Sequence, residues 1–145
     1  MICGNGGSAT QATHFASELV GRYKKNRKPY PAISLNTDNS ILTCISNDYN
    51  FEEIFARQVE ALCQKGDFFL GISTSGNSKN VVNAALKAKS KGAITSALMG
   101  NDGGLLKDNV DFGIIINSNS TARIQEMHLV IIHLICEYID SFEKD

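Results

Sequence analysis

The sequence predicts an α/β fold: a three-layer α-β-α sandwich built around a five-stranded, mainly parallel sheet. Three observations carry this expectation. Short apolar runs alternate with helix-length segments along the whole chain. The apolar runs are continuous rather than alternating, as in strands covered on both faces. Two glycine-rich loops each follow a strand candidate and open a helix candidate, at the edge where parallel sheets hold their ligands.

The strand candidates are residues 1–3, 32–35, 68–72, 94–99 and 112–116. The helix candidates are 9–23, 40–46, 51–64, 79–91, 104–109 and 121–142. In the first helix Ala12, Phe15, Ala16, Leu19 and Val20 follow the i, i+3, i+4, i+7, i+8 spacing of one buried stripe, and Ser8 is its expected N-cap. The last segment is apolar around most of its C-terminal part, which predicts a helix buried on most sides and packed against a symmetric partner. No repeat, low-complexity tract or linker divides the chain, so residues 1–145 are read as a single domain.

Composition narrows the function. A chain with 43% apolar and 20% charged residues and a net charge of −1 is globular, and it offers no field for nucleic acid. The one basic run, Lys24-Lys25-Asn26-Arg27-Lys28, reads as a solvated loop. Cys3, Cys44, Cys63 and Cys136 are scattered without a C-x-x-C, which suits reduced thiols in a cytoplasmic protein rather than a zinc ribbon or a disulfide scaffold. No apolar run is long enough to span a membrane and no signal peptide is visible. Met1-Ile2-Cys3 reads like the end of a buried strand, so either the chain is shortened or its first strand is unusually brief.

The loop Gly71-Ile72-Ser73-Thr74-Ser75-Gly76-Asn77-Ser78 places four hydroxyls where a strand hands over to a helix N-terminus. Free backbone N–H groups and the positive end of the helix dipole at such a junction favour an anionic group. The loop has no lysine, so it is not a nucleoside-triphosphate loop; it predicts a phosphorylated metabolite. In the other loop Gly4, Gly6 and Ala9 match the dinucleotide pattern G-x-G-x-x-A, but the acid that should follow, Asp38, falls too far along. No nucleotide cofactor is expected.

His14 and Glu18 lie one turn apart on the face of the first helix opposite the buried stripe, bordered by Gln11 and Arg22. They suit either an ordinary polar face or an acid–base or metal-binding pair. His133 sits among apolar residues, where its ring is either bonded to a backbone carbonyl or put to use. Gln125 and His133 are separated by about 12 Å of helix, so they share a site only if both lean inward or serve different subunits.

Together, Gly4-Asn5-Gly6-Gly7-Ser8, His14-Phe15-Ala16-Ser17-Glu18-Leu19, Asn47-Asp48, Ser73-Thr74-Ser75-Gly76-Asn77-Ser78 and Arg123-Ile124-Gln125-Glu126-Met127-His128 resemble the sugar isomerase (SIS) domain, a flavodoxin-like, Rossmann-like fold. Within it they resemble the bacterial phosphoheptose isomerases, over nearly the whole chain. The resemblance implies isomerisation of sedoheptulose 7-phosphate to D-glycero-D-manno-heptose 7-phosphate, toward lipopolysaccharide or capsule. It implies that Ser73, Thr74, Ser75 and Ser78 hold phosphate. Asn5, Gly6, Gly7, Ser8, Glu18, Arg22, Asn47, Asp48 and Gln125 would contact the sugar. Glu18 and His133 would be the acid–base pair, and His14, Glu18, Gln125 and His133 the ligands of a zinc ion found in some members. It further implies a homotetramer with active sites between subunits. The family usually carries several tens of residues before the glycine loop, so an N-terminal helical segment is expected to be lacking, with consequences for oligomerisation, stability and activity.

A non-catalytic alternative is the SIS factor that associates with the bacterial replication initiator. Similarity does not separate the two, but that factor lacks the equivalents of Glu18 and His133. A sugar-phosphate sensor of this class would bring a separate DNA-binding module, for which 145 residues leave no room.

Overall fold

Parallel pairing organises the molecule. The computed structural model describes residues 1–142. Among these, β1 (Ile2–Gly4), β2 (Phe68–Ser73), β3 (Ile94–Gly100) and β4 (Phe112–Ile116) form one sheet in the order β1-β2-β3-β4, every pair parallel. The register sets Gly4 opposite Ile72 and Ser73 opposite Met99, so the carboxyl ends of the first three strands lie side by side.

Five α-helices cover it: α1 (Gly7–Val20), α2 (Asn39–Asp48), α3 (Ala56–Leu62), α4 (Lys79–Ser90) and α5 (Thr121–Ser141). Side chains alternate across the strands. Cys3, Phe69, Ala97 and Met99 enter a core with residues of α2, α3 and α4, such as Ile45, Val59 and Ala85. Ile2, Leu70, Ile72 and Leu98 enter a second core with Ala12, Phe15 and Ala16 of α1 and Ile132 and Cys136 of α5. The result is the expected three layers, with α1 and α5 on one face and α2 to α4 on the other.

The sheet has four strands, not the five expected. The predicted strand at 32–35 contributes one bridge, Ser34 to Ile2. Its ladder consists of Ile2 N–H to Ile33 O and Leu35 N–H to Ile2 O, both 2.9 Å. Pro29 and Pro31 can donate nothing before it. Beyond it the Asn36 side chain, not the backbone, takes over the pairing: its Oδ1 accepts from Gly4 N–H and its Nδ2 donates to Gly4 O.

Other expectations shift by less. Residues 51–64 divide into a 3-10 turn, Phe51–Glu53, and α3, and 104–109 contain only the 3-10 turn Leu106–Asp108. α5 buries one stripe, Ile124, His128, Ile132, Cys136 and Asp140, and exposes Met127, Val130, Leu134 and Tyr138. It is therefore half covered rather than buried on most sides. All four cysteines are free thiols. Among the described residues no helix is long and apolar enough to cross a membrane.

The basic run is not uniformly solvated. The Arg27 side chain is fully buried, and its Nε donates to Asp140 Oδ1 of α5 at 2.9 Å. Its terminal nitrogens donate to the carbonyls of Glu18 (2.7 Å) and Leu19 (2.9 Å), capping the end of α1. Backbone N–H groups of Lys25 and Lys24 also donate to Asp140, and with Arg27 they hold its carboxyl below the ordinary carboxylate value. A depressed carboxylate stabilises the fold above its unfolded value and loses that contribution as pH falls through its folded one. Arg27→Met is expected to cost on the order of 3 kcal/mol in urea unfolding at neutral pH, because it strands a buried charge. Asp140→Asn is expected to flatten the acid limb of the stability profile below the ordinary value of 3.8; an acid limb identical to that of the parent chain would contradict the assignment.

Candidate active site

Chain direction creates the cleft. From β1 the backbone turns into α1 on one face; from β2 it turns into α4 on the other. Neighbouring parallel strands that part in this way open a crevice at their carboxyl ends. An opening of about 310 Å³ lies beside the first loop, lined by Gly4, Asn5, Gly6, Asn36, Thr43 and Ser46 among others.

In the first loop Gly6, at φ 55 and ψ −121, is the N-cap of α1. That conformation disfavours any side chain, and the helix starts two residues earlier than a Ser8 cap would start it. Ser8 is therefore not the cap; it lies buried in the first turn, its N–H donating to Asn5 O. The Gln125 side chain lies directly over Gly7, where a Cβ would sit 2.5 Å from Nε2. The Asn5 amide is paired with Asn80 of α4.

The hydroxyl loop closes on itself at the other side of the crevice. Ser73 Oγ and Ser78 Oγ are 3.0 Å apart, and Ser75 Oγ accepts from Asn77 N–H. Ser78 is the N-cap of α4 through its carbonyl, which accepts from Val81 and Val82; its hydroxyl makes no capping bond. Gly76, at φ 66, packs so closely on the turn after β3 that a Cβ would lie 2.0 Å from Gly103 O. Ser73 is buried, and Thr74, Ser75 and Ser78 are half-buried.

The third component forms where α1 meets α5. His14 Nε2 lies 3.5 Å from Glu18 Oε1 and 3.0 Å from His133 Nε2. Residues from positions 119 apart thus share one nitrogen. Tyr23 stacks on the His133 ring with centroids 5.6 Å apart. The carbonyl-bonded core histidine is instead His128, fully buried, with Nε2 3.1 Å from Met99 O. A carbonyl only accepts, so that nitrogen carries the proton, and burial lowers the ring's pKa and keeps it neutral. The His133 ring instead faces His14 and Tyr23.

These features have relatives. Residues 1–100 match the SIS domain family. A phosphoheptose isomerase of a Nitratiruptor species is 57% identical over 97% of this chain and 75% of its own length. One from Helicobacter pylori is 59% identical over 97% of this chain and 73% of its own. The structure of a phosphoheptose isomerase from Francisella tularensis superposes with a TM-score of 0.92 at 39% identity, covering 97% of this chain and 75% of that one. The chain belongs to the SIS-domain phosphoheptose isomerase family.

Not every residue expected at a family site meets the others here. Gln125 stays at the start of α1, about 10 Å of helix from His14, and its backbone carbonyl accepts from buried Gln11 at 2.6 Å. Arg22 is exposed beyond the end of α1 and reaches Lys24 O at 3.4 Å. Asn47 and Asp48 are exposed at the end of α2, bonded to each other at 2.8 Å; their neighbours Thr43 and Ser46, not they, line the opening between the first loop and α2. Sequence reasoning missed Asn36, Asn80 and Tyr23, whose roles depend on contacts distant in the chain.

The donor chemistry for zinc is present at the α1–α5 seam. Tetrahedral zinc with bonds of about 2.0–2.1 Å separates its ligands by about 3.3 Å. The 3.0 Å and 3.5 Å separations around His14 bracket that value. Among the described residues, however, no group of three or more His, Cys, Asp or Glu is arranged to hold a metal ion. Gln125 would also have to approach.

Replacing Ser73 and Ser75 together by alanine is expected to raise KM at least tenfold with a smaller fall in kcat, since a lost ground-state grip on phosphate appears in KM. Steady-state kinetics decide it, and an unaltered KM would count against the hydroxyl loop.

Proposed function

We propose that this chain interconverts sedoheptulose 7-phosphate and D-glycero-D-manno-heptose 7-phosphate, in the cytoplasm, as a step toward the heptose of lipopolysaccharide or capsule. The observation that carries the reading is the meeting of Glu18 and His133 at His14 Nε2. A non-catalytic phosphosugar binder has no need of it.

Aldose–ketose isomerisation moves a proton from C1 of the ketose to C2 of the aldose through an enediol, while the carbonyl shifts from C2 to C1. It needs a base at carbon, an acid at oxygen and stabilisation of the developing oxyanion. In this reading the Glu18 carboxylate takes the proton from carbon and returns it to the neighbouring carbon. His133 exchanges protons with the substrate oxygens, its ring held by Tyr23. His14, between the two, fixes their relative orientation. Ser73, Thr74, Ser75, Ser78 and the amides opening α4 grip the phosphate. Asn5, Gly6 and Gly7 present the sugar, with Ser8 supporting the turn from within. Binding energy from the phosphate end positions the reacting end.

His14, Glu18 and His133, with Gln125 drawn in, would be the residues to hold zinc, which when bound supplies a Lewis acid for the carbonyl oxygen. Arg22, Asn47 and Asp48 join the sugar site in this reading only by moving inward or by reaching a neighbouring subunit. The exposed stripe Met127, Val130, Leu134 and Tyr138 on α5 supports a homo-oligomer, read as a tetramer with sites between subunits.

Glu18→Gln is expected to lower kcat by at least 100-fold, the usual contribution of a positioned base, while the sugar phosphate still binds. Turnover equal to that of the parent chain would remove Glu18 from the mechanism. Dialysis against a chelator is expected to lower activity, and added zinc to restore it; full activity after metal removal confirmed by elemental analysis would refute the metal assignment.

A further inference from the structure

We propose that Asn80 is a positioning residue which, through Asn5, fixes the span between the phosphate-gripping loop and the sugar-gripping loop, and so selects sugar phosphates by chain length. This rests on the isomerase reading above.

Asn80 lies in the first turn of α4 and is 2% exposed. A buried amide is costly unless its donors and acceptor are used. Here Asn80 Nδ2 donates to Asn5 Oδ1 at 2.9 Å, and Asn5 Nδ2 donates back to Asn80 Oδ1 at 2.8 Å. The orientation is determined. Val81 N–H also donates to Asn80 Oδ1 at 3.0 Å, so oxygen must occupy that position, and the reciprocal pairing then dictates which way Asn5 points.

Among the described residues the amide pair supplies the hydrogen bonds that join the two loops. Backbone pairing of β1 with β2 ends at Gly4 and Ile72. Beyond that point the chains diverge to opposite faces of the sheet, and the amide pair joins them across 75 residues of sequence. One end of the ligand is held by Ser73 to Ser78, the other by Asn5 to Gly7. Holding those ends at a set separation admits a chain of one length in a reactive pose. A misplacement of about 1 Å at the reacting carbons is enough to cost ~100-fold in rate.

The experiment uses the full chain with Asn80→Ala, Asn80→Asp, Asn5→Ala and the Asn5→Ala/Asn80→Ala double variant. Asn80→Asp keeps the acceptor for Val81 and Asn5 but loses the donor, so it serves if Asn80→Ala does not fold. Calorimetry gives Kd for sedoheptulose 7-phosphate, fructose 6-phosphate and inorganic phosphate, and a separate assay gives turnover of the heptose. The seven-carbon over six-carbon preference in Kd is expected to fall at least fivefold in each single variant. The double variant is expected to be no worse than the more affected single one, and Kd for inorganic phosphate to stay within twofold. An unchanged preference, or additive losses in the double variant, would overturn the proposal. Absence of heptose turnover in the parent chain would instead sink the isomerase reading, while the binding preference still tests the ruler.

Discussion

The chain leaves two adjacent parallel strands by opposite faces, and most of the site depends on that. With Gly4 opposite Ile72, the glycine loop and the hydroxyl loop emerge at the same height. One helix start then faces the crevice from each side, carrying backbone N–H groups and the positive end of a dipole. The same divergence sends α1 to the face that α5 occupies, which brings His14 and Glu18 to His133. In the isomerase reading, anion grip and proton transfer are thus two consequences of one topology.

Packing holds α1 and α5 to that arrangement. Ala12 and Ala16 are buried in α1 and allow close approach to the sheet beside Ile132 and Cys136. His128 ties α5 to the end of β3 through Met99 O, and Arg27 with Asp140 ties the other end of α5 to the last carbonyls of α1. His133 lies between these two anchors. A buried, neutral imidazole and a buried ion pair are both expensive features, and both make the register of α5 difficult to change.

Much of this was legible in the sequence because it is local. Continuous apolar runs between helix-length segments specify a parallel sheet, and hydroxyl and glycine residues after a strand specify an anion loop. The i, i+4 spacing of His14 and Glu18 puts them together without any tertiary knowledge. What was not legible depends on partners far away in the chain. The segment at 32–35 has strand-like composition, yet its pairing stops after two bonds because Asn36 intervenes. Arg27 looks like one more cation in a basic loop until Asp140, 113 residues later, is placed beside it. His128 and His133 lie on the same helix with no local feature to say which is structural; the strand end facing His128 decides it. Asn80 reads as a helix residue until Asn5 is seen opposite.

In the isomerase reading the reaction is a proton transfer performed by side chains at the α1–α5 seam, and the solvent offers a direct probe of it. When the ketose is isomerised in deuterium oxide and the aldose product is examined by proton NMR, the account predicts deuterium at C2, introduced when the base exchanges with solvent. The same deuterium label appearing at the parent rate with Glu18→Gln would contradict it, since some other group would then be carrying the proton between the carbons.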